Sequence, residues 1–342
     1  MNNSFSFEKI CFESLKIEEF NNFPNKSVLT TKDWIEFVKE DSIANPYILK
    51  IFDGSTFVGY FTSLIVKKAG FKIVGSPFPG WSTPYMGLDC LKCYNKSDIL
   101  PDLISFVMKD TGCAYLQISD RDLVFEELEK IKIKYNYTLS ISETLELKIE
   151  SDDALQYKKM KNDCRNFIKQ FERRGATVEK AKPDDSFAEE YYEQLIDVFA
   201  KQDLVPTYTV GKVKCLLRHL SKSGSVLCLR VREPNGKSIA TSIFPAFNNK
   251  MFFWGGASFR SFQQYRPNEY MIYKAMKYWR ERGCTIFDMV GNRAYKKKFG
   301  SFEVHYPVVV VSRYRFLVPL KNMAEKLYYF SGKFFWKFNI KR

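Results

Sequence analysis

Two pairs of segments in this chain repeat each other. Residues 49–65 (LKIFDGSTFVGYFTSLI) and 229–244 (LRVREPNGKSIATSIF) each read strand, polar turn, strand, with Gly59 and Ala240 at matching places. Residues 112–120 (GCAYLQISD) and 283–291 (GCTIFDMVG) each end a helix with Gly-Cys and enter a strand. The offsets, 180 and 171 residues, are close enough to predict one fold used twice. Each copy is expected to be a hairpin, another strand, a helix and a strand beyond it. A chain of 342 residues can hold both copies with a core of their own.

Read in order, residues 1–40 predict a strand and two short helices, with Trp34, Phe37 and Val38 as an apolar stripe after Thr30-Thr31. Asp53-Gly54 between Tyr47–Phe52 and Phe57–Val66 is a hairpin signal, and a third strand follows at Phe71–Val74. Gly75–Gly87 (GSPFPGWSTPYMG) is too rich in Gly and Pro for a helix or a central strand. Its aromatics either line a substrate groove or pack down onto the core. Helices at Ile99–Asp110 and Leu123–Lys134 alternate with strands at Cys113–Ile118 and Thr138–Ile149. Asp153–Arg174 reads as a basic helical region with Arg165, Lys169 and Arg173 on one face, ended by Gly175. The second copy culminates in a strand at Met251–Phe259 and a polar loop at Ser261–Arg266. A helix then runs from Pro267 to about Arg282, and a buried strand spans Thr285–Val290.

Composition narrows the chemistry. No run of about 18 apolar residues exists to span a bilayer. The start, MNNSFSFEK, lacks the charge and apolar core of a signal peptide, so a cytoplasmic location is expected. Cys90 and Cys93 form a lone CxxC with no second pair or neighbouring His, so reduced thiols and no metal are expected. The two histidines, His219 and His305, lie far from any nucleophile-elbow sequence, which argues against a Ser-His or Cys-His hydrolase. The net charge is +14, and residues 293–342 hold twelve Lys/Arg against Glu303 and Glu325. Such asymmetry points to a polyanionic partner: a phosphate-bearing substrate, a nucleic acid or an acidic membrane.

Several motifs occur in a fixed order: Arg165-Asn-Phe-Ile-x5-Arg174-Gly175, Trp254-Gly-Gly-Ala-Ser258, Arg266-Pro-Asn268, Phe287-Asp288, Gly291, and Tyr295-Lys-x-Lys-Phe-Gly300. Together they resemble the signature of the duplicated acetyltransferase-fold proteins, a group that includes the Fem peptidyltransferases and the CelD-like acetyltransferases of cellulose-biosynthesis type. The resemblance covers roughly residues 45–310. It implies an α/β (α+β) tandem of two GNAT-like acyltransferase domains. These are placed at 1–150 and 185–316, with a basic linker helix and strand at 151–184 and a basic aromatic tail at 317–342. It further implies an N- or O-acyltransferase that moves an acyl group from acyl-CoA to an amine or hydroxyl of a cell-envelope saccharide or peptidoglycan precursor. Two alternatives stay open: a Fem-type aminoacyltransferase fed by aminoacyl-tRNA, and a non-catalytic module that binds a polyanion.

Acyl transfer needs a nucleophile, a destination for its proton and a donor to the oxyanion. Asp288 is a carboxylate in an apolar strand, suited by burial to accept a proton or, alternatively, to cap the following turn. The resemblance assigns Lys296, after the aromatic Tyr295, to the developing negative charge. Tyr208, Trp254, Ser258, Asn268 and Tyr295 are candidates to line the groove, and Arg165 and Arg174 to hold substrate phosphate. One departure stands out. Acyl-CoA enzymes of this group carry a glycine-rich loop before the helix, where backbone N–H groups cradle pyrophosphate. Here the stretch is Gln263-Gln-Tyr-Arg266-Pro-Asn268, without glycines and with Pro267 removing an N–H. The first copy is expected to shape the groove, because Ile118-Ser-Asp120 is followed by no aromatic-Lys-Phe-Gly run. In the tail, Leu320, Ala324, Leu327, Phe334 and Phe338 recur near helical spacing among lysines. This reads as an amphipathic helix either on an anionic membrane or packed on the domain.

Overall fold

The structure is a computed structural model, and it describes residues 4–23, 26–200 and 204–323. In chain order the elements begin β1 (Phe5–Ile10), α1 (Ile17–Asn21), α2 (Lys32–Ser42), β2 (Asn45–Asp53), β3 (Thr56–Lys68), β4 (Phe71–Ser76) and β5 (Gly87–Cys90). There follow α3 (Lys96–Thr111), β6 (Tyr115–Ser119), α4 (Phe125–Leu128), β7 (Asn136–Lys148), α5 (Asp153–Lys159), α6 (Asn162–Arg173), β8 (Thr177–Ala181), α7 (Asp185–Ala200) and α8 (Val210–Leu220). The series closes with β9 (Val226–Arg232), β10 (Ser238–Phe247), β11 (Lys250–Phe252), β12 (Gly255–Ser258), α9 (Pro267–Arg280), β13 (Ile286–Asp288) and β14 (Phe302–Ser312). The chain divides into two compact units. One holds the described residues up to Glu143 together with His305–Met323, and the other holds Thr144–Val304. The basic segment 151–184, expected as a linker, lies inside the second unit, and β14 returns the chain to the first.

The repeat read from the sequence is a repeat of topology. In the first unit β2 and β3 form the hairpin turned by Asp53-Gly54, with Asp53 opposite Thr56 and Gly54 at φ +58°. β4 lies antiparallel to β3, α3 crosses over, and β6 returns parallel to β4, Ile73 opposite Tyr115. In the second unit β9 and β10 form the hairpin, α9 crosses over, and β13 returns parallel to β11, Met251 opposite Phe287. A parallel return needs a helical crossover, which is why a helix stands between these strands in both copies. The cores are separate. Leu103, Val107, Leu116 and Ile118 anchor one, joined by Val309 and Val311 of β14. Met271, Ala275, Phe244 and Phe287 anchor the other.

In both copies the third strand breaks, and its far half turns aside to pair with the second strand. β5 pairs with β3 after a break at residues 77–86, and β12 pairs with β10 after a break at residues 253–254. The single strand expected at Met251–Phe259 is therefore two. Three further expectations are corrected. The helix at Leu123–Lys134 shrinks to Phe125–Leu128, because Ile131 and Ile133 pack on the core at a spacing of two that no helix can serve. The helical region Asp153–Arg174 breaks at Met160–Lys161, where the Lys161 N–H bonds the Lys298 carbonyl at 2.9 Å. The polar loop at Ser261–Arg266 is largely a 3-10 helix, Arg260–Tyr265. Of the aromatics in the Gly75–Gly87 loop, Trp81 and Tyr85 are buried, so this loop packs down onto the core. Residues 317–323 are helical, and the rest of the tail lies outside the described residues.

The first unit buries an ion pair. The Lys26 ammonium meets the Asp89 carboxylate at 2.7 Å and stands 3.7 Å over the Phe20 ring, with both side chains nearly inaccessible. Burial pulls the lysine below its ordinary range, and Asp89 opposes that pull. Removing one member of such a pair strands the other charge in the core. Lys26→Ala is expected to cost about 3–5 kcal/mol, measured as a lower denaturant midpoint; a shift under about 1 kcal/mol would show that water reaches the pair and that it is not truly buried.

Candidate active site

The break in the second copy's third strand places the chemistry. β11 and β13 run side by side until Phe252 meets Asp288, and the Phe253 N–H bonds the Asp288 carbonyl at 2.9 Å. Beyond that point the chains part. Trp254 donates its N–H to Ile243 on β10, and Gly255–Ser258 continue on β10. On the other side Met289 donates its N–H to Leu145 on β7. The notch between them is where Lys296 sits.

Lys296 lies in a 3-10 turn (Ala294–Phe299) and is 5% exposed. Its ammonium donates to the Met289 carbonyl at 2.7 Å and to the Val290 carbonyl at 2.5 Å. The rings of Phe253 and Tyr295 flank it at 5.5 and 5.7 Å. An ammonium has three N–H bonds, and the third has no acceptor among the described residues. Loss of water on burial lowers the Lys296 pKa to about 8, against the pull of the Asp288 charge. Asp288 is fully buried and accepts from the Thr144 hydroxyl at 2.6 Å and from the Val290 N–H at 2.7 Å. Across the ladder from Asp288, Glu146 is neutralised by Lys250 at 3.0 Å.

An aromatic group adjoins this lysine. Tyr191 on α7 and Tyr208 share a hydroxyl–hydroxyl bond of 2.7 Å, and the Trp254 ring lies 5.2 Å from Tyr208 and 6.3 Å from Tyr191. Burial raises both phenols, Tyr208 to about 12, so they remain donors at neutral pH. The Trp254 indole N–H is buried without an acceptor among the described residues. Gly255 makes the arrangement possible: a Cβ there would come within 2.2 Å of the Tyr191 hydroxyl. The indole and the phenols form a donor-rich group that begins one residue beyond Phe253, whose ring flanks Lys296.

The structure thus brings Lys296 together with Asp288 and Tyr295, and Tyr208 together with Trp254. It separates the rest. Ser258 is buried and hydrogen-bonds Asn268 at 3.4 Å where α9 begins, and neither shares a hydrogen bond or ring contact with the aromatic group. Arg165 bonds Asn162 near the start of α6, while Arg174 caps its end. They lie nine residues apart, about 13 Å along the axis, too far to hold one phosphate together. Lys297 pairs with Glu303, and Lys298 with Glu269. Thr144, Tyr191 and Phe253 carry no sequence signal of their own. They belong to an ordinary strand, helix and aromatic run, and only the tertiary fold reveals them. The start of α9 does not fit a pyrophosphate: Pro267 is its first residue, Arg266 before it is left-handed at φ +57°, and Glu269 puts a carboxylate in the first turn.

Comparison with known proteins agrees with the fold. Residues 158–297 match a family model described as an acetyltransferase (GNAT) domain. Over 63 residues, 18% of this chain, the sequence is 33% identical to the lipid II:glycine glycyltransferase of two strains of Staphylococcus epidermidis; the match spans only 15% of the length of those relatives. Among solved structures, FemX aligns with a TM-score of 0.71 at 15% identity, over 88% of this chain and 96% of that one. A tandem GNAT protein from the clavulanic acid biosynthesis pathway aligns with a TM-score of 0.50 at 8% identity, over 90% and 98% of the two chains. The fold expected from the motifs therefore holds: the chain has a duplicated GNAT-type fold like that of FemX, and its second copy contains the residues that match an acetyltransferase (GNAT) domain.

Proposed function

We propose that the second unit is an acyltransferase site that moves an acyl or aminoacyl group onto an amine of a cell-envelope precursor, with Lys296 stabilising the oxyanion. The observation that carries this reading is the buried Lys296 ammonium, held by two carbonyls with one N–H to spare. The acceptor nitrogen attacks the acyl carbon, and the carbonyl oxygen gains the charge that this N–H meets. The carbon–oxygen bond to the donor then breaks, and the proton leaving the amine passes to the departing oxygen. Tyr208 and Trp254 supply further donors at the rim, and Tyr295 covers the lysine. A peptidoglycan precursor as acceptor is supported by the short match to lipid II:glycine glycyltransferase.

For the donor, the start of α9 favours an aminoacyl ester such as aminoacyl-tRNA, since Pro267 and Glu269 oppose a pyrophosphate there. The positive net charge suits such a polyanion. Acyl-CoA is the second reading, favoured by the acetyltransferase description of the matching domain. Calorimetric titration with acetyl-CoA, with charged tRNA and with deacylated tRNA separates them. Heat with charged tRNA alone supports the ester donor; micromolar binding of acetyl-CoA overturns it.

Lys296→Ala is expected to lower turnover by about 100-fold or more, the worth of one oxyanion donor, with the fold intact by circular dichroism. Unchanged turnover removes Lys296 from the mechanism. The pH dependence follows from its depressed pKa. The ammonium is present below about 8 and is lost as pH rises through that value, so turnover should fall on the alkaline side with a midpoint near 8. A rate that instead climbs through the same range would make the neutral amine the working form.

A further inference from the structure

Val290 is an outlier with a purpose. It is β-branched yet sits at φ +55°, in the left-handed region that such residues avoid. In an extended strand successive carbonyls point to opposite sides, so residues 289 and 290 could not both reach one ammonium. The left-handed turn at Val290 swings its carbonyl round to join that of Met289 on the Lys296 nitrogen. What holds the turn is the Asp288 carboxylate, which grips the Val290 N–H at 2.7 Å and is itself fixed by the Thr144 hydroxyl at 2.6 Å. Both Asp288 and Thr144 are fully buried.

The first copy provides an internal comparison. Asp120, the residue after β6, also accepts the N–H two residues on, from Asp122 at 2.9 Å, although in the repeat it stands opposite Gly291 and Gln117 stands opposite Asp288. There the carboxylate is met by Lys96 at 2.9 Å, and Asp122 is not left-handed. The position of Asp288 is therefore held by Gln117 in the first copy. The left-handed valine belongs only to the copy with Lys296.

We propose that Asp288 and Thr144 are positioning residues, which hold Val290 left-handed so that two successive carbonyls seat the Lys296 ammonium and aim its remaining N–H at the substrate. The aspartate acts through Lys296 and does not itself exchange a proton with the substrate. This assignment rests on the acyltransferase reading for its kinetic consequences, but its structural content can be tested without any turnover.

Asp288→Asn keeps an oxygen that accepts from both Val290 and Thr144, whereas Asp288→Ala keeps none. The asparagine variant is expected to lose no more than about tenfold in turnover and the alanine variant about 100-fold or more, mainly in kcat. An asparagine variant as inactive as the alanine variant would mean a proton-accepting carboxylate and would overturn the proposal. The independent readout is titration of the Lys296 side-chain nitrogen by NMR in the full-length protein. In the alanine variant its midpoint should differ from that of the asparagine variant by about one unit or more, because both lack the charge but only one keeps the seat. Identical midpoints refute the proposal whatever the activity. If the alanine variant does not fold, Thr144→Val against Thr144→Ser makes the same comparison, with serine retaining the wild-type midpoint and valine departing from it. Wild-type protein that transfers nothing, with these midpoints still separated, would sink the acyltransferase reading and leave the seat standing.

Discussion

A lysine ammonium taken out of water has to be matched by fixed dipoles or it deprotonates. Lys296 stands near that limit, with its pKa drawn down to about 8, and much of the second unit is arranged around keeping it charged and aimed. Two carbonyls face it, Asp288 lends a nearby negative charge, and Phe253 and Tyr295 close the sides. A third carbonyl would have satisfied the ammonium and left it inert. Its incomplete satisfaction is what turns a buried polar group into a candidate for chemistry.

The two copies show how the same fold can be left open or closed. In both, the third strand parts from the strand that follows the helix. In the first copy the gap is bridged by backbone: Met86 bonds the Ser119 carbonyl at 2.9 Å, Gly87 bonds the Ser76 hydroxyl at 2.9 Å, and Leu88 bonds the Asp120 carboxylate at 2.8 Å. Gly87, at φ +83°, admits this approach, since a Cβ there would fall 2.2 Å from Asp120. In the second copy the break is two residues long, and the donors around it come from side chains. The ten-residue aromatic insertion that gives the first copy its conspicuous sequence is thus a plug in its own notch.

The sequence carried the large features well. Duplication, hairpins, the Pro267 helix and the strand ending at Asp288 all follow from periodicity and turn chemistry, which are local. The lysine was legible only through its resemblance to a family motif, because nothing in Tyr-Lys-Lys-Lys tells which ammonium turns inward. That choice is made by tertiary pairing, with Glu303 taking Lys297 and Glu269 taking Lys298. Arg165 and Arg174, each a candidate for substrate phosphate, stand at opposite ends of α6, a separation that spacing on paper hides. Thr144 and the left-handed Val290 were invisible: each makes sense only beside residues far away in the chain.

The path of β14 has a consequence for how the chain is made. Val308–Ser312 pair with Ser119–Tyr115 of β6, and Val309 and Val311 complete the first unit's core. On the ribosome, that core therefore lacks a central strand until residues 308–312 have emerged. The second unit, whose described elements lie between Thr144 and Val304, can close first. Domains usually fold in the order of their synthesis. Here the order is reversed at its last step, and the N-terminal half must wait, with one edge of its sheet unpaired, for the strand that finishes it.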